Sequence, residues 1–489
     1  MISRRGILGA AVIAVVSLNS PRRQAVSKER LQNPLKIPVL LEGAPESGEK
    51  IYELVVASGK SEFLPDVSTP TLGLNGAYLG PTIRCREKDR VTFRVKNDLA
   101  EPTTLHWHGL RVPAKSDGGP HQIIQPGRVW EPSFGIKQNA SLCWYHSHLM
   151  GRTGEQVLMG LAGLFLIDDD ESQSLRLPSE YGVDDIPLII QDRRFKSDGS
   201  FEYLSSMHDT MMGFKGDFIL VNGTFNSYFV VRRQRTRFRI LNGSNSRIYT
   251  LGRLDNADLV VIGSDGSLLE RPVRQRRVRL GPGERVELLI DMQANQTLKL
   301  MSYPDRVNTR AMGQGNTETF PIIELRAGQL ETSDLYLPDR LIQVPEWKPS
   351  MATRTRTFTL DTLTMGMGGT MGRRTMDGMM GINGRAMNMS RIDLEVPAGS
   401  VEIWEVKNAT PLTHPFHIHG VQFRVLDRDG KPHLPQEQGL KDTVLVDQGS
   451  TVRIIAEFPD FADPVHPYMY HCHNLEHEDA GMMGQFVTV

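Results

Sequence analysis

Val91-Thr-Phe-Arg-Val-Lys-Asn97 alternates apolar and polar residues and ends on an asparagine, the pattern of a half-buried β-strand. It returns as Arg237-Phe-Arg-Ile-Leu-Asn242 and as Val401-Glu-Ile-Trp-Glu-Val-Lys-Asn408. Each copy follows an Asn-Gly turn, at Asn75-Gly76, Asn222-Gly223 and Asn383-Gly384, so the copies start 147 and 161 residues apart. That period is too long for a solenoid and suits a triplicated domain of sandwich size. A later strand also recurs behind a turn: Gln125-Pro-Gly-Arg-Val, Gly281-Pro-Gly-Glu-Arg-Val-Glu-Leu-Leu-Ile and Gln448-Gly-Ser-Thr-Val-Arg-Ile-Ile. The expected fold is all-β, with sandwiches over 34–168, 180–328 and 352–489 joined by linkers near 168–185 and 331–350.

Composition agrees with this class and narrows function. The chain has 489 residues, 45 of them glycine and 29 proline, as many short strands and turns require. Lys plus Arg (56) and Asp plus Glu (57) balance to a net charge of −1, which argues against a nucleic-acid-binding surface. Three cysteines, Cys85, Cys143 and Cys472, exclude a disulfide scaffold and a four-thiolate zinc module. Residues 1–25 read as an export signal: Ser3-Arg4-Arg5 precedes an uncharged apolar run from Gly6 to Leu18. This resembles a twin-arginine signal, and the run is too short for a membrane span of about 20 residues. The expectation is a periplasmic or otherwise extracytoplasmic monomer without stable membrane insertion.

The 14 histidines are unevenly spread. Four His-x-His pairs occur, His106/His108, His146/His148, His417/His419 and His471/His473, two in each outer copy. Residues two apart on a strand share a face and lie about 6.6 Å apart along it, so each pair aims two imidazoles one way. Eight imidazoles exceed the needs of one metal, which implies a cluster between the first and third domains. Cys472, between His471 and His473, points to the opposite face of the same strand. With His414, His477 and Met482 it makes a Cys, two His and a Met, the donor set of a blue-copper electron-transfer site.

His106-Trp-His108-Gly, Cys143-Trp-Tyr-His146-Ser-His148, His414-Pro-Phe-His417-Ile-His419-Gly and the run from His471 through His477 to Met482 resemble the four copper motifs of three-domain multicopper oxidases. Asp117-Gly-Gly-Pro and Gln156-Val-Leu-Met-Gly-Leu-Ala-Gly further resemble the bacterial periplasmic branch, which includes copper-efflux oxidases and laccases. The resemblance implies three consecutive cupredoxin-like Greek-key sandwiches and four copper ions. By motif position, the type 1 copper takes His414, Cys472, His477 and Met482; the type 2 copper takes His106 and His417. One type 3 copper takes His108, His146 and His473, and the other His148, His419 and His471. The implied reaction couples four one-electron oxidations to reduction of O2 to water, with Asp117 and Glu478 on the proton path.

The reductant is read from a different segment. Between 364 and 389 stand Met365, Met367, Met371, Met376, Met379, Met380, Met387 and Met389 among many glycines. Glycine at this density disfavours a helical core stripe, and thioethers are soft ligands that select Cu(I). The first six are candidate substrate-metal ligands, whereas Met387 and Met389 lead into a strand. The expected substrate is Cu(I) or another low-valent metal ion, in copper tolerance. The stretch Ala409-Thr-Pro-Leu-Thr413 before His414 lacks the acidic residue and methionine usual in copper-efflux oxidases, which leaves a laccase acting on phenols as the alternative. A third reading is a non-catalytic, periplasmic cell-division protein of the same fold. Cys85 and Cys143 read as buried thiols, with a disulfide between them as the alternative. Trp107 reads as packing, His121 as turn surface or a neighbour of the site, and His208, His433 and His466 as exposed.

Overall fold

The asparagines that close the repeated strands show why the pattern recurs. In the computed structural model, Asn97 donates to the carbonyls of Ile124 and Glu101 and accepts from the Leu99 N–H. Asn242 bonds the carbonyls of Leu280 and Arg247 and the Ser244 N–H in the same way, and Asn408 those of Val446 and Leu412 and the Thr410 N–H. A buried asparagine thus satisfies three backbone groups where each strand turns out of its sheet, groups that would otherwise be buried unpaired. The Asn-Gly turns are equally uniform. Asn75, Asn222 and Asn383 have φ near +50°, and each side-chain oxygen accepts, at 2.7 Å, the N–H of Val55, Ile189 or Thr359 on the strand alongside. Asparagine tolerates this left-handed conformation and pins the turn with its own amide.

The structure describes residues 30–305, 307, 317–363 and 379–489. The export segment 1–25 and Met365, Met367, Met371 and Met376 lie outside the described residues. Three two-sheet sandwiches follow one another, and one sheet of each contains the same parallel pair. Glu49–Leu64 runs beside Arg90–Asn97, Asp185–Arg193 beside Arg235–Asn242, and Arg354–Thr362 beside Val401–Asn408. Alternate residues of these strands, such as Val91, Phe93 and Val95, fill the core between the sheets. The second sheets of the outer sandwiches carry the histidines. In the first, the order is Leu40–Leu41, Thr82–Arg86, Ala162–Asp168, Ser141–His146, His106–His108; in the third, it is Leu394–Val396, Met483–Thr488, Asp463–Cys472, His414–Ile418, Thr443–Val446. Among the described residues, no helix is long and apolar enough to cross a membrane.

The chain first pairs, at Asn33–Pro34, in parallel with Ser227–Tyr228 of the second sandwich. It joins the first only at Leu40–Leu41, beside Thr82–Ile83. Cys85 and Cys143 are free, buried thiols, as the sequence reads, and the alternative disulfide is absent. Cys85 pairs with Ile167 and Cys143 with Phe165, so strand Ala162–Asp168 runs between them. Two interstrand spacings of about 4.8 Å hold their backbones beyond the reach of a disulfide.

Candidate metal centres

Strand register brings the histidines together. His106 pairs opposite His146 in the first sandwich, and His417 opposite His471 in the third. The two sets interleave: the His106 ring stacks on His419 with centroids 3.7 Å apart, and His108 on His417 at 3.6 Å. All eight paired histidines are fully buried. Three groups of donor nitrogens converge to within 4.8 Å: His108, His146 and His473; His148, His419 and His471; and His106, His108 and His417. The first two are the trios that motif position assigns to the two type 3 coppers.

Six of the eight use one nitrogen in a hydrogen bond that fixes the ring and present the other. Through Nδ1, His106 donates to the Asp117 carbonyl (3.0 Å), His417 to the Asp442 carbonyl (2.8 Å), His146 to the Ser147 carbonyl (2.8 Å) and His471 to the Cys472 carbonyl (3.1 Å). His419 Nδ1 donates to Asp117 Oδ2 at 2.7 Å. His108 is reversed, with Nε2 donating to Asp442 Oδ1 at 2.9 Å. The Glu478 carboxylate lies between two rings, 3.3 Å from His148 Nδ1 and 3.1 Å from His471 Nδ1. Such outer contacts set tautomer and ring orientation. His106 Nε2, His417 Nε2 and both nitrogens of His473 are buried without a partner. A buried polar atom left unmatched costs about 1–3 kcal/mol, so these unpaired nitrogens fit metal ligation.

On the opposite face of strand Asp463–Cys472 lies a second convergence. Cys472 Sγ is 3.2 Å from His414 Nδ1 and 4.0 Å from His477 Nδ1, and the two nitrogens are 3.2 Å apart. His414 Nε2 donates to Thr410 Oγ1 (2.6 Å) and His477 Nε2 to the Met211 carbonyl (3.0 Å), leaving both Nδ1 lone pairs turned to the sulfur. Fully buried Met482 is tied to the same loop: its carbonyl accepts from Cys472 N–H and its N–H donates to the His477 carbonyl. Cys, two His and a nearby Met suit a soft metal. Of the candidate methionines that the structure describes, Met379 is partly buried. Met380 is not on the surface: it pairs with Thr362 and packs in the core that also holds Met482.

Burial pushes the imidazoles of His108, His146, His148, His414, His419 and His473 well below their ordinary value, and His417 and His477 to about 4. Neutral imidazole is the form that binds metal. In the metal-free protein the unfolded chain takes up protons below about pH 6.5 while the folded one resists. Stability is therefore lost as pH falls from about 6.5 to about 4, by about 3 kcal/mol for each of His417 and His477. Thermal unfolding of stripped protein between about pH 7.5 and 5 should show a steep fall in Tm, and a flat profile would contradict these burial-driven shifts. Burial also pushes the Cys472 thiol up, against the pull of the Asn474 N–H.

Several residues that hold the site carry no local signal in the sequence. Asp442 of the third sandwich bonds His108 of the first and takes two hydrogen bonds, 2.6 and 2.5 Å, from Arg285 of the second. Arg285 Nε also donates to the Leu142 carbonyl, so one guanidinium ties all three sandwiches at the cluster. Burial works to raise the Asp442 carboxyl, but Arg285 and His108 hold it well below its usual range. Among the described residues, the middle copy thus supplies support and none of the converging donors. Gly283 has φ +79°, and a Cβ there would lie 3.0 Å from the His473 ring, which explains the glycine of that turn. Gln156, quoted above within a motif, accepts from Ser147 Oγ and Thr103 Oγ1 and so pins the turn between His146 and His148. His121 Nε2 bonds Gln485 Oε1 and reaches no group of the cluster.

Sequence profiles of known families match this chain in three places, each described as multicopper oxidase, over residues 55–172, 196–320 and 355–489. Among curated proteins, multicopper oxidase mco of Staphylococcus aureus is 34% identical over 459 residues, covering 93% of this chain and 92% of the relative. Cell division protein FtsP of Dickeya dadantii is also 34% identical, over 493 residues, covering 100% and 98%. Among solved structures, the bacterial laccase-like multi-copper oxidase CueO from Ochrobactrum sp. superimposes with a TM-score of 0.83 at 36% identity, covering 93% of this chain and all of that one. Each of the three sandwiches carries one of these matches, and the chain belongs to the multicopper oxidase family.

Proposed function

We propose that this protein is an extracytoplasmic metallo-oxidase that oxidises Cu(I), exported by the twin-arginine route and acting in copper tolerance. In balance, four Cu(I), one O2 and four protons give four Cu(II) and two waters. Four resident coppers are assigned: type 1 at His414, Cys472, His477 and Met482, type 2 at His106 and His417, and the two type 3 ions at the His108/His146/His473 and His148/His419/His471 trios. When bound, copper supplies the one-electron redox chemistry and the activation of O2. The residues around it do the rest. Cys472 joins the two centres through its covalent neighbours His471 and His473. Asp117 and Glu478, each against two of the imidazoles, hold and pass protons.

The observation that carries the oxidase reading is the complete set of buried donors. Identity alone does not separate the named oxidase from the named cell division protein, since both stand at 34%, but a partner-binding role gives ten buried histidines and a buried thiol no purpose. For Cu(I) over phenols, the support is the methionine-rich segment. A laccase is favoured by one feature: before His414 stands Thr410, bonded to the ring, with neither a carboxylate nor a thioether in that stretch. Oxygen uptake by copper-loaded protein, with Cu(I) and a simple phenol in parallel, tests the choice. The test is repeated after deleting residues 364–378, a deletion that spares the buried Met380. Fast uptake with Cu(I) that falls about tenfold or more on deletion is expected. Fast phenol turnover that survives deletion would make the protein a laccase, and a chain that binds no copper would restore the partner-binding reading.

A further inference from the structure

The third-sandwich ligand His477 has its outer nitrogen on the second sandwich. Its Nε2–H donates to the carbonyl of Met211, at the end of the short helix Met207–Met212. Carbonyls in a last helical turn have no partner within the helix, and here one is taken by the metal-site imidazole. The helix is firmly seated. Asp209, on its inner side, is clamped by two hydrogen bonds from Arg194, both 3.1 Å, and by the Ser205 N–H. Beyond the helix, Gly213 (φ +79°) passes so close to Asn474 that a Cβ would sit 2.5 Å from its amide nitrogen. The next residue, Phe214, donates its N–H to Glu476, the neighbour of His477.

What this helix shows to solvent is soft. Its sequence is Met207-His-Asp-Thr-Met-Met212. Met207 and Met211, four apart, share the face opposite Asp209. Met207 is 55% exposed, His208 is exposed and Met211 partly so. Thioethers are soft donors suited to Cu(I), and imidazole also binds copper.

We propose that the Met207–Met212 helix is a docking site for a soft monovalent metal ion, Cu(I), which gives up one electron through the Met211 carbonyl and His477 and leaves as Cu(II). The electron joins the three others that reduce O2 in the proposed reaction. As a substrate site this rests on the cuprous reading above, but the site itself is tested without turnover.

Ag(I) serves as a redox-inert stand-in for Cu(I). The copper-loaded full chain and its M207L/M211L variant, which keeps side-chain volume but removes both sulfurs, are titrated with Ag(I) and the bound metal counted. The variant should bind about one Ag(I) fewer per chain, and its KM for Cu(I) should rise about tenfold with a smaller change in kcat. An unchanged Ag(I) count overturns the site whatever the kinetics. A lowered count in a protein that oxidises no Cu(I) upholds the site and overturns the cuprous reading instead. Should the double variant fold poorly, M207S, at the exposed position, must lower the count in the same way.

Discussion

Cys472→Ser is expected to abolish the intense blue absorption and to cut turnover with every reductant by at least about 10³-fold. The thiol lies against His414 Nδ1 and His477 Nδ1 in a fully buried pocket, and it is the one soft anionic donor there. Serine keeps the size, but its hydroxyl does not ionise in such a pocket and is a hard ligand. The neighbouring His471 and His473 remain, so the cluster between the outer sandwiches should still load. Copper content should therefore drop by about one ion per chain, not to zero. Metal analysis and visible absorption on the same sample check this. A variant that stays blue would remove Cys472 from the type 1 assignment.

Asp117→Asn is expected to slow O2 reduction by about 10²-fold while the blue colour remains. Asp117 Oδ2 accepts from His419 Nδ1–H at 2.7 Å and lies 3.3 Å from His106 Nδ1, while Oδ1 is buried with no partner. Asparagine keeps an oxygen for His419 and the shape of the turn, but it cannot take up a proton. Gly118 should be untouched, as its φ of +78° and its approach to the Leu105 carbonyl depend on the backbone alone. Reoxidation of the fully reduced enzyme by O2, followed in a single turnover, isolates the affected step from delivery of electrons by the reductant. Unchanged reoxidation would reduce Asp117 to a residue that orients two rings.

The fold and the donor atoms were legible because both rest on local rules. A period-two strand closed by Asn97, Asn242 or Asn408 reads the same in three places, since each asparagine answers the same backbone demand within its own sandwich. His-x-His puts two rings on one face by strand geometry alone, and Cys472 between two histidines must face the other way. Those constraints need no partner to be recognised. The copper motifs added which imidazoles stand together, and the trios around His146 and His148 do converge.

Only the tertiary structure could decide what surrounds those donors. Asp442 is one of 57 acidic residues, and nothing beside it in the chain marks it; it matters because His108 and Arg285, from two other sandwiches, meet it in the interior. Met211 serves through a backbone carbonyl, which has no side-chain identity to read. Met380 looked like its methionine neighbours, but its pairing with Thr362 takes it into the core. Ligand identity follows from residue type and spacing, which the sequence holds. The tautomer, orientation and isolation of each ligand come from contacts between distant segments, and those exist only once the three sandwiches have closed on one another.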